Sequence, residues 1–289
     1  KERGCAMQSI DQANGMMIGL AIGDALGAPL EFLDAREPED YITKYHKGGF
    51  HDVDIGEWTD DTAMTLAMCK AILDKGGFDP NAIMDNFVAW YRDGKFIPRG
   101  ECFDIGTTTV RALERYIQHP TSPYKGDTSP KSAGNGALMR TAAVVLAAMN
   151  RQELIQLATQ QTLLTHAAPI CVQYGTMLAE ELYYCGPLDK YQKFRHSLDI
   201  PRKEVMSGGY VVETYMAAMW AFQTTDTFED CVIKAVNRGH DSDTVGAVAG
   251  MIAGTHYGYC GIPHEFRKNV MWHDELIETS TALWSMGRR

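Results

Sequence analysis

Apolar residues recur every three or four positions through most of the chain, while alternating β-branched runs are almost missing. The dominant period is therefore 3.6 and not 2, and the pattern predicts an all-α fold. Helices are expected near 13–28, 60–74, 107–118, 137–149, 151–164, 168–184, 211–223, 227–237, 243–257 and 273–286. One more has both ends written out. Asp79-Pro80 supplies an N-cap and a first-turn proline, Ile83, Met84, Phe87, Val88 and Tyr91 fall on one face, and Gly94 stops it. No linker rich in Pro, Ser or charge divides the chain and no solenoid-length repeat is visible, so one compact domain is expected.

Three of these segments are too apolar for a surface helix yet carry acids at or near an end. Thr62 to Cys69 follows Thr59-Asp60-Asp61 with no polar face, and Thr244 to Gly254 follows Asp241-Ser242-Asp243 with small residues that permit close backbone approach. Met16 to Leu26 carries Asp24 before Pro29, with Glu31 just beyond. Such helices belong in the middle of the molecule.

Composition changes this picture little. Among 289 residues, 45% are hydrophobic and 22% charged, as in ordinary globular proteins. The net charge of −10 argues against a nucleic-acid partner, which would need clustered Lys and Arg. Seven cysteines are scattered without a close pair, and no apolar stretch approaches a bilayer span, so a cytoplasmic protein without membrane insertion is expected.

Charge at the start of a central helix poses a physical problem, since uncompensated buried carboxylates cost several kcal/mol or take up protons. Either acid pair alone reads as a helix cap favoured by the dipole. Two doubled pairs are more than caps require, and bringing them together calls for divalent cations. An all-oxygen set without Cys selects Mg²⁺ or Mn²⁺. Glu31, Asp104 and His166 taken singly read as a loop acid, a loop acid and a core histidine. Gly134-Asn135-Gly136 is expected to open the helix containing Met139 and Arg140, and Asp104-Ile105-Gly106-Thr107-Thr108 to open another. Both would offer bare N–H groups to phosphate.

Taken together, Gly23-Asp24-Ala25-Leu26-Gly27-Ala28-Pro29-Leu30-Glu31-Phe32, Trp58-Thr59-Asp60-Asp61-Thr62, the Gly134 to Arg140 segment, Thr165-His166 and Asn237 to Gly246 resemble the motifs of the ADP-ribosylglycohydrolases, in that family's order. The bacterial branch containing the dinitrogenase reductase-activating glycohydrolase looks closest. The resemblance implies two divalent cations held by Thr59, Asp60 and Asp61 on one side and Asp241, Asp243 and Thr244 on the other. Glu31 and Asp104 match catalytic acids, with the general base left open between them. Gly106, Thr107, Gly134, Asn135, Gly136, Met139, His166 and Tyr210 match positions that embrace ADP-ribose. His240 stands where many relatives have glycine, which points to a contact with a carboxylate or to a narrower pocket. Residues 1–14 fall outside the resemblance and are expected to form a flexible extension before a catalytic domain spanning 15–289.

The implied activity is removal of ADP-ribose from a protein side chain, with arginine preferred. It would serve to reverse a regulatory modification or to resist an ADP-ribosylating toxin, whose transferase would be a functional partner. A catalytically silent ADP-ribose binder and a metal-dependent phosphohydrolase are the competing readings.

Overall fold

A computed structural model describes residues 7, 9–186 and 200–288, and most of the expected N-terminal extension before residue 9 lies outside them. Twelve α-helices and no named strand occur among the described residues, as the 3.6 periodicity requires. They are α1 (Ile10–Gly27), α2 (Asp60–Lys75), α3 (Pro80–Asp93), α4 (Thr107–Gln118), α5 (Ala142–Ala147), α6 (Arg151–Leu163), α7 (Pro169–Tyr183), α8 (Val211–Gln223), α9 (Phe228–Val236), α10 (Ser242–Tyr257), α11 (His264–Asn269) and α12 (His273–Met286).

The centre is an antiparallel pair, α1 on α10, whose backbones touch through glycine. An ideal Cβ on Gly15 would stand 2.1 Å from the Gly254 carbonyl oxygen, on Gly19 2.1 Å from that of Gly250, and on Gly23 1.9 Å from that of Gly246. At Gly27 the same atom would stand 2.3 Å from the Ser242 carbonyl. A side chain at any of these positions forces the helices apart. Both helices are buried over nearly their whole length, which explains why neither shows a polar face. Around this pair, α9 and α8 pack on α10, α12 packs on α1, and α2 lies between α3, α5 and α12. The antiparallel register brings the C-terminal end of α1 against the N-terminal end of α10.

Asp79 caps α3 as expected, accepting from the N–H groups of Asn81 and Ala82, and Gly94 ends it at φ 62°. Two boundaries and one additional helix differ from the periodic reading. Helix α1 starts at Ile10, because Ser9 accepts from the Gln12 N–H at 3.2 Å, so residues 10–14 of the expected extension are helical. The helix expected over 137–149 shrinks to Ala142–Ala147, and residues 136–141 form turns. Arg140 is the reason: it is fully buried and binds the Gly136 carbonyl, Gln161 and Thr165, pinning the turn to α6. Helix α11, one short segment after Pro263, has too little periodicity to stand out in the sequence. No helix of the described residues is long and apolar enough to cross a membrane.

Replacing Gly19 or Gly250 by alanine is expected to destabilise the protein by about 2–3 kcal/mol or more through overpacking. Gly77→Ala, where an added Cβ meets nothing within 4 Å, should be nearly neutral. Denaturant titration distinguishes the two, and equal stability of all three variants would contradict the backbone contact.

Candidate active site

Helix α2 begins without help from its own cap, since the Thr59 side chain makes no capping bond. Asp24 of α1 does the work instead. Its carboxylate accepts from the Thr59 N–H at 2.8 Å, the Thr62 N–H at 3.0 Å and the Thr62 hydroxyl at 2.6 Å. Capping from a neighbouring helix releases Asp60 and Asp61, which then face the start of α10.

There the two acidic stretches meet. Thr59 Oγ1 lies 3.2 Å from Asp243 Oδ2, 3.3 Å from Asp61 Oδ2 and 3.4 Å from Asp60 Oδ1. Its single proton can serve only one of them. Thr244 Oγ1 donates to Asp61 Oδ2 at 3.3 Å. Asp241 receives a bond from Asn135 Nδ2 at 2.9 Å, and Asn135 also donates to Thr214. Carboxylate oxygens of Asp24, Asp61 and Asp243 lie within 4.8 Å of one another, as do those of Asp60, Asp104 and Asp243.

Buried carboxylates so close cannot all remain ionised without compensation. Burial, then the charges of neighbouring carboxylates, Asp104 for Asp60 and Asp243 and Asp24 for Asp61, holds these three acids well above the usual carboxylate range. Asp24 is raised to about 7, chiefly by burial. Oxygens of Asp61, Asp243 and Asp104 are buried without a hydrogen-bond partner. Orphaned, converging, all-oxygen donors fit hard divalent cations.

A cavity of ≈ 370 Å³ opens over this cluster. Asp60, Asp241, Asp243 and Thr244 form one wall; Gly106, Thr107, Gly134, Asn135, Gly136, Met139 and His166 form another; Glu31 and Asp104 complete it. Thr59 and Asp61 sit behind the lining, fully buried. A larger hollow of ≈ 740 Å³ beside α11 and α12 shares no residue with this cavity and holds none of the acid clusters.

Glu31 follows a 3₁₀ turn at Ala28–Leu30 and is 6% exposed. Burial raises it to about 7, the His51 contact opposing and the Asp104 charge adding to the shift. His51 Nε2 stands 3.0 Å from both Glu31 Oε2 and Asp104 Oδ1, a pair of close ionic contacts without hydrogen-bond alignment. Burial opposes protonation of His51, but the two carboxylates outweigh it and raise its pKa to about 9. His166 is buried beside Arg140, and desolvation followed by that charge lowers its pKa to about 3. Its Nδ1 lies 2.8 Å from Thr165 Oγ1.

Two expected contacts fall elsewhere. The Tyr210 side chain is 45% exposed and absent from the lining, while its backbone bridges to Gly134 and its neighbour Gly209 lines the cavity. His240 is exposed and not in the lining; at φ 56° its backbone pairs with the loop after Glu31 through Phe32 N–H to His240 O at 2.7 Å and His240 N–H to Leu33 O at 2.8 Å. His51 escaped sequence reasoning altogether, because it lies in an aperiodic loop; its only signal is a titratable residue within Gly48-Gly49-Phe50-His51-Asp52. Asp24 was visible as a buried acid, but its capping role needs the helix pair.

Fold and cleft define a helical protein with a desolvated acid cluster that fits a metal site, beside two glycine-bearing turns. The chain belongs to the ADP-ribosylglycohydrolase family, whose model matches residues 6–289. It is 36% identical to the ADP-ribosylarginine hydrolase Tri1 of Serratia proteamaculans, over 94% of this chain and 76% of that protein. Identity to the ADP-ribosyl-[dinitrogen reductase] glycohydrolase of Rhodospirillum rubrum is 33%, over 88% of each chain. The expected proximity to the nitrogenase-regulating branch is thus exceeded by a Tri1 hydrolase, and the matches support the family rather than that branch. A solved chain described as an ADP-ribosylglycohydrolase-related protein complex superposes with a TM-score of 0.83 at 35% identity, covering 96% of this chain and 98% of that one.

The raised acids set a pH dependence. Their folded-state pKa values exceed the unfolded ones, so without metal the folded chain holds more protons and loses stability as pH rises from about 4.5 through about 7, where Asp24 and Glu31 titrate. Added Mg²⁺ or Mn²⁺ should raise the melting temperature, and by more at the upper end of that interval. Scanning calorimetry in chelator checks this; a melting temperature that climbs with pH there would contradict it.

Proposed function

We propose that this protein hydrolyses the bond joining ADP-ribose to an arginine side chain of a modified protein, with two divalent cations, Mg²⁺ or Mn²⁺, in the acid cleft. The carrying observation is the convergence of Thr59, Asp60 and Asp61 with Asp243 and Thr244 beside Gly134 to Gly136 and the start of α4. Its relatives named above act on ADP-ribosylarginine and on ADP-ribosylated dinitrogen reductase.

Thr59, Asp60, Asp61, Asp241, Asp243 and Thr244 would hold the cations, which when bound neutralise these acids, polarise ribose hydroxyls and acidify water. The first turn of α4 carries no side-chain cap, so its N–H groups, with those of Gly134 and Gly136, suit the diphosphate. His166, neutral at physiological pH, contributes a ring nitrogen there without adding charge. Cleavage passes through an oxocarbenium-like transition state that demands an oriented nucleophile. Glu31, poised near neutrality, takes the proton from the attacking water and can return it to the departing side chain. Asp104 and His51 hold the Glu31 carboxylate against the cavity wall.

Two measurements test this reading. Incubation with an arginine-ADP-ribosylated protein should release intact ADP-ribose by mass analysis, and chelator should abolish release; nucleoside monophosphate as product would identify a phosphohydrolase instead. Glu31→Gln should lose about 10²–10⁴-fold in kcat with Mn²⁺ binding retained, and full activity would remove Glu31 from the mechanism.

A further inference from the structure

The cavity has three walls of different chemistry. Backbone N–H groups at Gly106 to Thr109, and those of Gly134 and Gly136, suit phosphate, the Asn135 N–H being given to the Gly209 carbonyl at 3.0 Å, and the acids at the starts of α2 and α10 suit cation-bound ribose hydroxyls. The remaining wall is Glu31 and Phe32, and on the reading above the group attached to the ribose departs beside Glu31.

That exit is aromatic and exposed. Phe32 lines the cavity yet is 60% exposed, and Phe50 is 73% exposed. Their rings meet edge to face with centroids 4.9 Å apart, and Phe50 meets the His51 ring in the same way at 5.0 Å. His51 in turn is 3.0 Å from Glu31 and Asp104, so the two phenyl rings stand one residue away from both candidate catalytic acids. Phe32 has a φ of 62°, in the left-handed region that L residues rarely adopt. The paired backbone bonds with His240, itself at φ 56°, hold it there. A strained backbone that keeps an apolar ring in solvent at the mouth of a cleft is a costly arrangement for packing alone.

We propose that Phe32 and Phe50 form the leaving-group subsite, stacking the guanidinium of the ADP-ribosylated arginine, and that they are specificity-determining residues for this linkage. The inference rests on the arginine reading above. A guanidinium is planar, cationic and weakly hydrated, so it favours an aromatic face over water. ADP-ribose itself has no group in this subsite, which separates its contribution from the rest of the cavity.

The test compares Phe32→Leu, Phe50→Leu and the double variant with Phe32→Tyr and Phe50→Tyr, all loaded with Mn²⁺. Both positions are exposed, so melting temperatures should stay near the wild type. The double leucine variant should lose about tenfold or more in kcat/KM on an arginine-ADP-ribosylated protein. Its calorimetric affinity for ADP-ribose should stay within about twofold, and the tyrosine variants should keep most of the activity. Unchanged kcat/KM in the double variant, a parallel loss of ADP-ribose affinity, or tyrosine variants as poor as leucine would each overturn the subsite while leaving the proposed function standing. A wild-type protein that releases no ADP-ribose from arginine would overturn both.

Discussion

The direct contact of two helix backbones, α1 on α10, is the constraint on which the rest depends. Four glycines of α1 lie under carbonyls of α10, at spacings of four residues, and any Cβ there would overlap an oxygen. Such contact fixes the register of the antiparallel pair. It therefore decides that Asp24, near the end of α1, meets the level at which α10 begins with Asp243 and Thr244. Ser242 strengthens this junction by donating its hydroxyl to the Gly27 carbonyl at 2.8 Å.

Once that register is set, the placement of the acids follows from hydrogen-bond accounting. The first N–H groups of α2 need acceptors, and Asp24 provides them from outside the helix. Asp60 and Asp61 are thereby relieved of capping and turned toward Asp243. What would be an ordinary helix start becomes a concentration of charge, and the low-dielectric surroundings that make it expensive also make it fit a cation.

Backbone strain gathers around the same cleft. Phe32, Asp52, Asp104 and His240 all adopt positive φ without being glycine. Each flanks or carries a group facing Glu31 or the cavity, and the mutual backbone bonds of Phe32, Leu33 and His240 tie the loop after Glu31 to the turn before α10. The wall bearing the candidate base is consequently braced against the wall bearing the metal-seeking acids. Arg140 braces the third wall, its guanidinium binding the Gly136 carbonyl and Thr165 beside His166, although burial lowers its pKa to about 9.

Periodicity alone was enough to establish the helical class and nearly every long helix, because a buried face repeats with the geometry of the helix whatever surrounds it. The doubled acids before two apolar helices were likewise legible, since charge next to a segment without a polar face is anomalous in any context. The capping role of Asp24, the contact of His51 with Glu31 and Asp104, the unwinding of residues 136–141 and the outward turn of Tyr210 were decided only by tertiary structure. In each case the partner is distant along the chain or the conformation is dictated by a buried side chain, as with Arg140, and one-dimensional spacing carries no record of which surfaces meet.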